Sequence, residues 1–211
     1  MDTLLKVMNI NKSFGGVKAL SDISFEIYKG EKVSLVGENG SGKSTIIKII
    51  SGILAPDSGS ITIGSVTKKV FTPKESIKAG VQVIYQDFSL YPNLTVCENI
   101  ANGYFLSNKK FFVSYKKMQE IAKESLDKVK LNIPLKAIAN SLTTAQRQMV
   151  AISKCLLENA KIIIMDEATT ALTQKEIKNL INIIEGLQSS GISVIFVSHK
   201  IEEIKAVSDR C

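Results

Sequence analysis

Arginine is scarce in this 211-residue chain: only Arg147 and Arg210 occur, while lysine carries the formal net charge to +7. Base edges are read chiefly by bidentate arginine forks, so the scarcity argues against a dedicated base-reading surface. The lysines are scattered, with only short doublets such as Lys68-Lys69, Lys109-Lys110 and Lys116-Lys117. A charge of this size still admits nucleic acid, an anionic membrane surface or a phosphorylated ligand. Cysteine is equally sparse. Cys97, Cys155 and Cys211 are odd in number, far apart and match no zinc or redox spacing, which argues against a disulfide framework or a metal site and fits a reducing compartment. No apolar run reaches the ~18–20 residues that span a bilayer. The start, Met1-Asp2-Thr3-Leu4-Leu5-Lys6, lacks the basic lead and apolar core of a signal peptide. The expectation is a chain that stays in the cytosol unless a partner tethers it to a membrane. Internal repeats and low-complexity linkers are absent too. What remains, a 45% hydrophobic chain of mean hydropathy +0.13, is ordinary for a folded protein with one sizeable core and room for a subdomain.

Strand-like segments are Ile23–Ile27, Lys32–Val36, Ser60–Ile63, Val81–Tyr85, Ile162–Met165 and Ile192–Val197. The continuous apolar runs Ile162–Met165 and Val194–Val197 suit a parallel sheet buried on both faces. Helices are marked by their ends. Thr72-Pro73-Lys74-Glu75 is a capping box with proline at the first helical position, stopped by Gly80; Thr173-Gln174-Lys175-Glu176 is a second. The second opens a helix with the apolar stripe Ile177, Leu180, Ile181, Ile184 and Leu187, and Met118, Ile121, Ala122, Leu126 and Val129 mark another. From about Asp87 to Glu158 the patterns are helical throughout. The coarse architecture is therefore an α/β core of mostly parallel sheet interrupted by a helical subdomain.

Gly37-Glu38-Asn39-Gly40-Ser41-Gly42-Lys43-Ser44-Thr45 fits the G-x-x-x-x-G-K-[ST] phosphate loop. Its glycines let successive N–H groups turn toward one anion at the positive end of the following helix. The flanking strand Lys32–Val36 and helix from Thr45 to Ile50 supply the context the motif requires. The pattern predicts ATP binding, with Lys43 reaching the β- and γ-phosphates and the Ser44 hydroxyl ligating Mg²⁺. Lys161-Ile162-Ile163-Ile164-Met165-Asp166-Glu167 places two acids at the end of a buried strand, at the ligand-binding edge of such sheets. Asp166 is the expected Mg²⁺ holder, and Glu167 the general base that polarises the attacking water. His199 is the single histidine, directly after the strand Ile192–Val197. A lone histidine is more often a surface or core residue, but this placement at the same sheet edge favours a hydrogen bond to the γ-phosphate.

The order of these motifs resembles the ATP-binding domain of ABC transporters from about Leu5 to Arg210, and within that family the group importing ribose, galactose and similar monosaccharides. The resemblance implies a P-loop NTPase core with an N-terminal antiparallel β portion. It divides the chain into a nucleotide-binding core at 1–86 and 159–211 and a helical subdomain at 87–158. It implies that Phe14, in Asn11-Lys12-Ser13-Phe14-Gly15, stacks on adenine, although a core phenylalanine would read the same. Tyr85-Gln86-Asp87 looks like the Q-loop, with Gln86 touching Mg²⁺ or the attacking water. The stretch up to Asn99 resembles the surface that receives a transmembrane subunit, and its apolar residues equally suit subdomain core. Leu142-Thr143-Thr144-Ala145-Gln146 stands where the family has L-S-G-G-Q, so Thr143, Ala145 and Gln146 are implied to bind the γ-phosphate of an opposing protomer. Thr143 keeps the hydroxyl, whereas Ala145 adds a methyl and restricts the backbone to negative φ. Ala168 replaces a frequent proline, and Thr173 replaces the usual D-loop aspartate.

The resemblance implies an ATPase on the cytoplasmic side of the membrane, energising uptake of a monosaccharide-like solute. Its expected partners are transmembrane permease subunits, a second ATPase domain as homodimer or tandem half, and, indirectly, an extracytoplasmic solute-binding protein. Relatives continue beyond a segment like Ser208-Asp209-Arg210, which predicts that the domain is C-terminally incomplete. The rival reading is a soluble ABC-type ATPase acting on nucleic acid or ribosomes; no nucleic-acid module supports it. A small-molecule kinase would have no use for the Gln86, signature and His199 series.

Overall fold

Hydrophobic alternation and its interruptions divide the strands into two kinds. In a computed structural model, which describes residues 2–85, 90–107, 114–129, 131–170 and 172–211, the long polar-faced strands β1 (Thr3–Phe14) and β2 (Val17–Tyr28) form an antiparallel hairpin. They join β4 (Ser58–Ile63) and β5 (Val66–Lys68) in the order β2-β1-β4-β5. The short apolar strands β3 (Lys32–Leu35), β6 (Val81–Ile84), β7 (Ile162–Asp166) and β8 (Ser193–Val197) form a second sheet in the order β3-β8-β7-β6. Its β3–β8 and β7–β8 pairs are parallel. β8 is buried at every position and β7 at all but its last, as strands of a doubly covered parallel sheet must be. At roughly 1.5–3 kcal/mol for each fully buried aliphatic side chain, these strands are a principal source of stability.

One buried serine ties the two sheets. Ser193 Oγ donates to the Tyr28 carbonyl (2.8 Å) and accepts from Gly30 N (3.0 Å), so the β2–β3 turn is fastened to the start of β8. On the helical side, α1 (Lys43–Ile50) follows β3, and α2 (Pro73–Ala79) carries the expected Thr72–Glu75 capping box and a left-handed Gly80 C-cap. Helix α6 (Gln174–Ser189) starts at Thr173, whose hydroxyl and N–H exchange hydrogen bonds with Glu176. Helix α7 (Ile201–Val207) follows β8.

The described chain divides into two units, one comprising 1–83, 161–167 and 181–211, the other 84–160 and 168–180. The second unit is built on α3 (Val96–Ser107), α4 (Tyr115–Lys128) and α5 (Thr144–Leu157). Val96, Cys97, Ile100, Ala122, Leu126, Ile133, Leu142 and Val150 form its core. In the apolar stretch before Asn99, Val96 and Cys97 are core, while Tyr91 is 57% exposed.

Asn99 organises that stretch. It is buried, its Oδ1 accepts from Tyr91 N (2.7 Å), and its Nδ2 donates to the carbonyls of Tyr91, Leu94 and Thr95. Removing one partner from buried polar groups costs about 1–3 kcal/mol per group left unsatisfied. Asn99→Ala is expected to destabilise the protein by about 2–4 kcal/mol. A urea titration should show a lower midpoint; an unchanged midpoint would mean that the 91–95 loop is held by something else.

Candidate nucleotide-binding site

Parallel pairing assembles this site. Leu35 of β3 and Asp166 of β7 both lie opposite Val197 of β8, so three strands reach their C-terminal ends at one level. The segments that follow them, beginning at Val36, Glu167 and Ser198, leave the sheet together. Asn39, Gly40, Gly42, Lys43, Ser44, Thr45, Asp166 and Glu167 line one cavity of about 150 Å³. That is below the ~300 Å³ of a typical whole-ligand pocket, so it suits a phosphate chain whose remaining nucleotide lies outside. Ala19 of β2 also lines it, a residue that no motif marks in the sequence.

The loop's shape depends on Gly42. Its φ is +93°, and a Cβ there would lie 2.6 Å from the Ala19 carbonyl oxygen and 2.7 Å from a Leu20 methyl. Gly42 is also the N-cap of α1 and offers no side-chain acceptor. The first N–H groups of the helix are thus left for an anion. Lys43 Nζ donates to the carbonyls of Gly37 (2.5 Å) and Glu38 (2.8 Å) and lies 3.5 Å from Ser41 Oγ. The ammonium therefore closes the loop on itself and already sits in the cavity wall.

Opposite the loop, burial and then the neighbouring Glu167 charge raise the pKa of Asp166, opposed by Lys43 and Lys48. Two adjacent carboxylates at a part-buried sheet edge favour a cation. Among the described residues no three His, Cys, Asp or Glu side chains cluster as a metal cage. The donors here, Asp166 with the Ser44 hydroxyl in the same cavity, instead suit Mg²⁺ shared with phosphates. Glu167 has the left-handed φ of +49°, which costs a non-glycine residue about 1 kcal/mol. Its N–H still donates to the Val197 carbonyl (3.1 Å). Its carboxylate lies 3.9 Å from His199 Nδ1. His199 is 52% exposed and stands beside Glu167 without lining the cavity.

Phe14 ends β1 at the Gly15-Gly16 turn. It is 49% exposed, with Lys12 Nζ over its ring 5.5 Å from the centroid, so it is not a core residue. Gln86 lies outside the described residues. Thr143, Ala145 and Gln146 belong to the helical unit. There Thr143 caps α5: its hydroxyl accepts from Gln146 N (3.2 Å), and Gln146 Oε1 accepts from Thr143 N (3.0 Å). Ala145 is helical, so its negative φ comes without strain.

The ABC transporter family model matches residues 20–170. The chain belongs to the ABC transporter family. It is 41% identical over 206 residues to a ribose import ATP-binding protein of Bacillus licheniformis, covering 98% of this chain and 42% of that protein. A ribose import ATP-binding protein of Clostridium perfringens is 42% identical over 212 residues, again covering 98% and 42%. The chain thus spans less than half the length of these relatives. Among solved structures, a nucleotide-free ATP-binding cassette of an ABC transporter superposes with a TM-score of 0.87 at 28% identity, covering 98% of this chain and 85% of that one. A dimeric cassette in a post-hydrolysis state, bound to ADP and Pi, gives 0.82 at 28% identity, covering 96% and 91%. The α/β P-loop architecture with its antiparallel β portion is the fold of these cassettes.

Gly40 and Gly42 separate two effects. Both have left-handed φ, but a Cβ at Gly40 meets nothing within 4 Å. Gly40→Ala is expected to cost about 1–2 kcal/mol of backbone strain. Gly42→Ala should add a backbone collision, lower the melting temperature further and weaken ATP binding at least about tenfold more. Titration with a fluorescent ATP analogue, alongside thermal melting, makes the comparison; equal effects would contradict the packing of Ala19 against the loop.

Proposed function

We propose that the chain binds and hydrolyses ATP to energise uptake of a monosaccharide-like solute through membrane-embedded partner subunits. The observation that carries the reading is the common level of Leu35, Asp166 and Val197, from which a phosphate loop, a carboxylate pair and a histidine emerge at one sheet edge. The relatives named for ribose import support the solute class and favour import over action on nucleic acid. The dimeric cassette supports a second ATPase domain as partner.

In this reading the α1 N–H groups and Lys43 hold the phosphate chain, with Gly37, Asn39, Gly40, Ser41, Gly42 and Thr45 shaping the loop. Phe14 offers its face to adenine. Ser44, Asp166 and Gln86 would hold Mg²⁺, which would supply positive charge against the phosphates. Glu167 accepts a proton from water as its oxygen bonds to the γ-phosphorus and the bond to the β-phosphate oxygen breaks, releasing ADP and phosphate. His199 keeps that water and the γ-phosphate in line. Thr143, Ala145 and Gln146 face the γ-phosphate bound by an opposing ATPase domain. Their contribution is the α5 N-terminus, with Thr143 and Gln146 fixing its first turn through the reciprocal cap.

The division of labour follows: 1–86 and 159–211 bind nucleotide, while 87–158 carries the signature and, through Gln86–Asn99, meets the permease subunits. Among the described residues no helix is long and apolar enough to cross a membrane. In this reading the domain sits peripherally on the cytoplasmic side, and an extracytoplasmic solute-binding protein acts on it only through the permease.

Glu167→Gln preserves shape and removes the base. In the full-length protein assembled with its membrane partners, it is expected to lower steady-state hydrolysis at least ~100-fold while ATP binding persists. Phosphate release and nucleotide retention are the two measurements. Unchanged turnover would reject Glu167 as the base, and uptake assays across a panel of sugars would test the solute class.

A further inference from the structure

His199 has a positioning problem. Its imidazole is half exposed, so packing cannot aim it, and it lies two residues beyond the end of β8. What aims such a side chain is the backbone on either side. Both neighbours converge on one buried group. Ser198 is 3% exposed, its hydroxyl accepts from Lys200 N (3.1 Å), and the same hydroxyl donates to Glu203 Oε2 (2.9 Å). The other oxygen of that carboxylate, Oε1, lies 3.0 Å from Lys200 Nζ. Glu203 is itself only 7% exposed, and its N–H donates to the Lys200 carbonyl (3.1 Å). Residues 198 and 200 are thus both bound to residue 203, and His199 is the residue between them.

We propose that Glu203 is a positioning residue for ATP hydrolysis. Its buried carboxylate clamps Ser198 and Lys200 and so holds the His199 imidazole toward Glu167 and the γ-phosphate. The proposal rests on the role given to His199 above. A surface acid would not be kept in this environment for solubility. Burying a carboxylate costs free energy unless it is hydrogen-bonded and paired, and here both oxygens are engaged by the residues flanking the histidine. The adjacent Glu202, on the exposed side of the same turn, is the natural control.

The test compares Glu203→Ala, Glu203→Gln, Ser198→Ala, Glu202→Ala and His199→Ala in the full-length protein assembled with its membrane partners. Release of radiolabelled phosphate resolves low residual rates. Glu203→Ala should lower kcat about tenfold or more, since small misplacement of a catalytic group has effects of this order, and leave KM for ATP within about twofold. Glu203→Gln, which keeps an oxygen to accept from Ser198, should recover most of the rate. Glu202→Ala should have no effect. In the His199→Ala background, Glu203→Ala should slow turnover by less than about twofold, because the group it aims is gone. An equal fractional loss with and without His199 would make Glu203 merely structural and overturn the positioning role alone. Where Glu203→Ala fails to assemble, Ser198→Ala decides, with the same loss and the same dependence on His199 expected. Wild-type turnover in His199→Ala would overturn the role of His199 and this proposal with it.

Discussion

The parallel register of β3, β8 and β7 is the constraint on which the site depends. Because Leu35 and Asp166 share the partner Val197, the segments that follow the three strands start from one level. A slip of one residue in either pair would turn every buried side chain of the moved strand to the opposite face. In the β7–β8 pair it would also shift Glu167 relative to His199 by a full residue rise. The parallel pairing of these strands therefore also sets the geometry of the candidate site. Ser193 extends this control to the other sheet, since its two hydrogen bonds hold the β2–β3 turn.

Within the frame, backbone conformation does what side-chain chemistry alone cannot. Gly42 accepts a left-handed φ and the close Ala19 carbonyl, leaving the start of α1 open to anions. Glu167 takes a similar conformation without being glycine. Its strain is offset by the last sheet-like hydrogen bond to Val197 and turns the chain out of β7. The carboxylate and the imidazole lie 3.9 Å apart.

Legibility followed burial. β7 and β8 were plain in Ile162–Met165 and Val194–Val197 because strands buried on both faces need no alternation. The phosphate loop was plain because its glycines and Lys43 have few other uses together. β1 was not read as a strand. It carries Lys6, Asn9, Asn11 and Lys12, its register with β2 shifts repeatedly, and Asn9 has φ +49°, so no period of two survives. β5, three residues at a sheet edge, is too short to carry a pattern. Two further capping boxes close the starts of helices: Thr95–Glu98 opens α3, and Thr143–Gln146 opens α5, where the same residues stand in the signature position. Gln86 falls outside the described residues, and its role rests on its motif.

Thr143 and Glu203 make a common point about what family patterns convey. At 143 and 146 the side chains that a motif assigns to a ligand are bonded to each other's backbone. The segment is a capped helix N-terminus, and alanine at 145 is unstrained because that position is helical. At 203 the reverse holds. Lys200-Ile201-Glu202-Glu203 looks like a solvated turn, and nothing in composition separates its two acids. Helical periodicity does: Glu203, Ile204 and Val207 are the buried positions of α7, which turns one glutamate inward under the histidine loop and leaves its neighbour in water. A buried acid on the inward face of a short helix, hydrogen-bonded to the residues flanking a catalytic candidate, is a feature of three-dimensional placement. It becomes visible only once the helix phase is known.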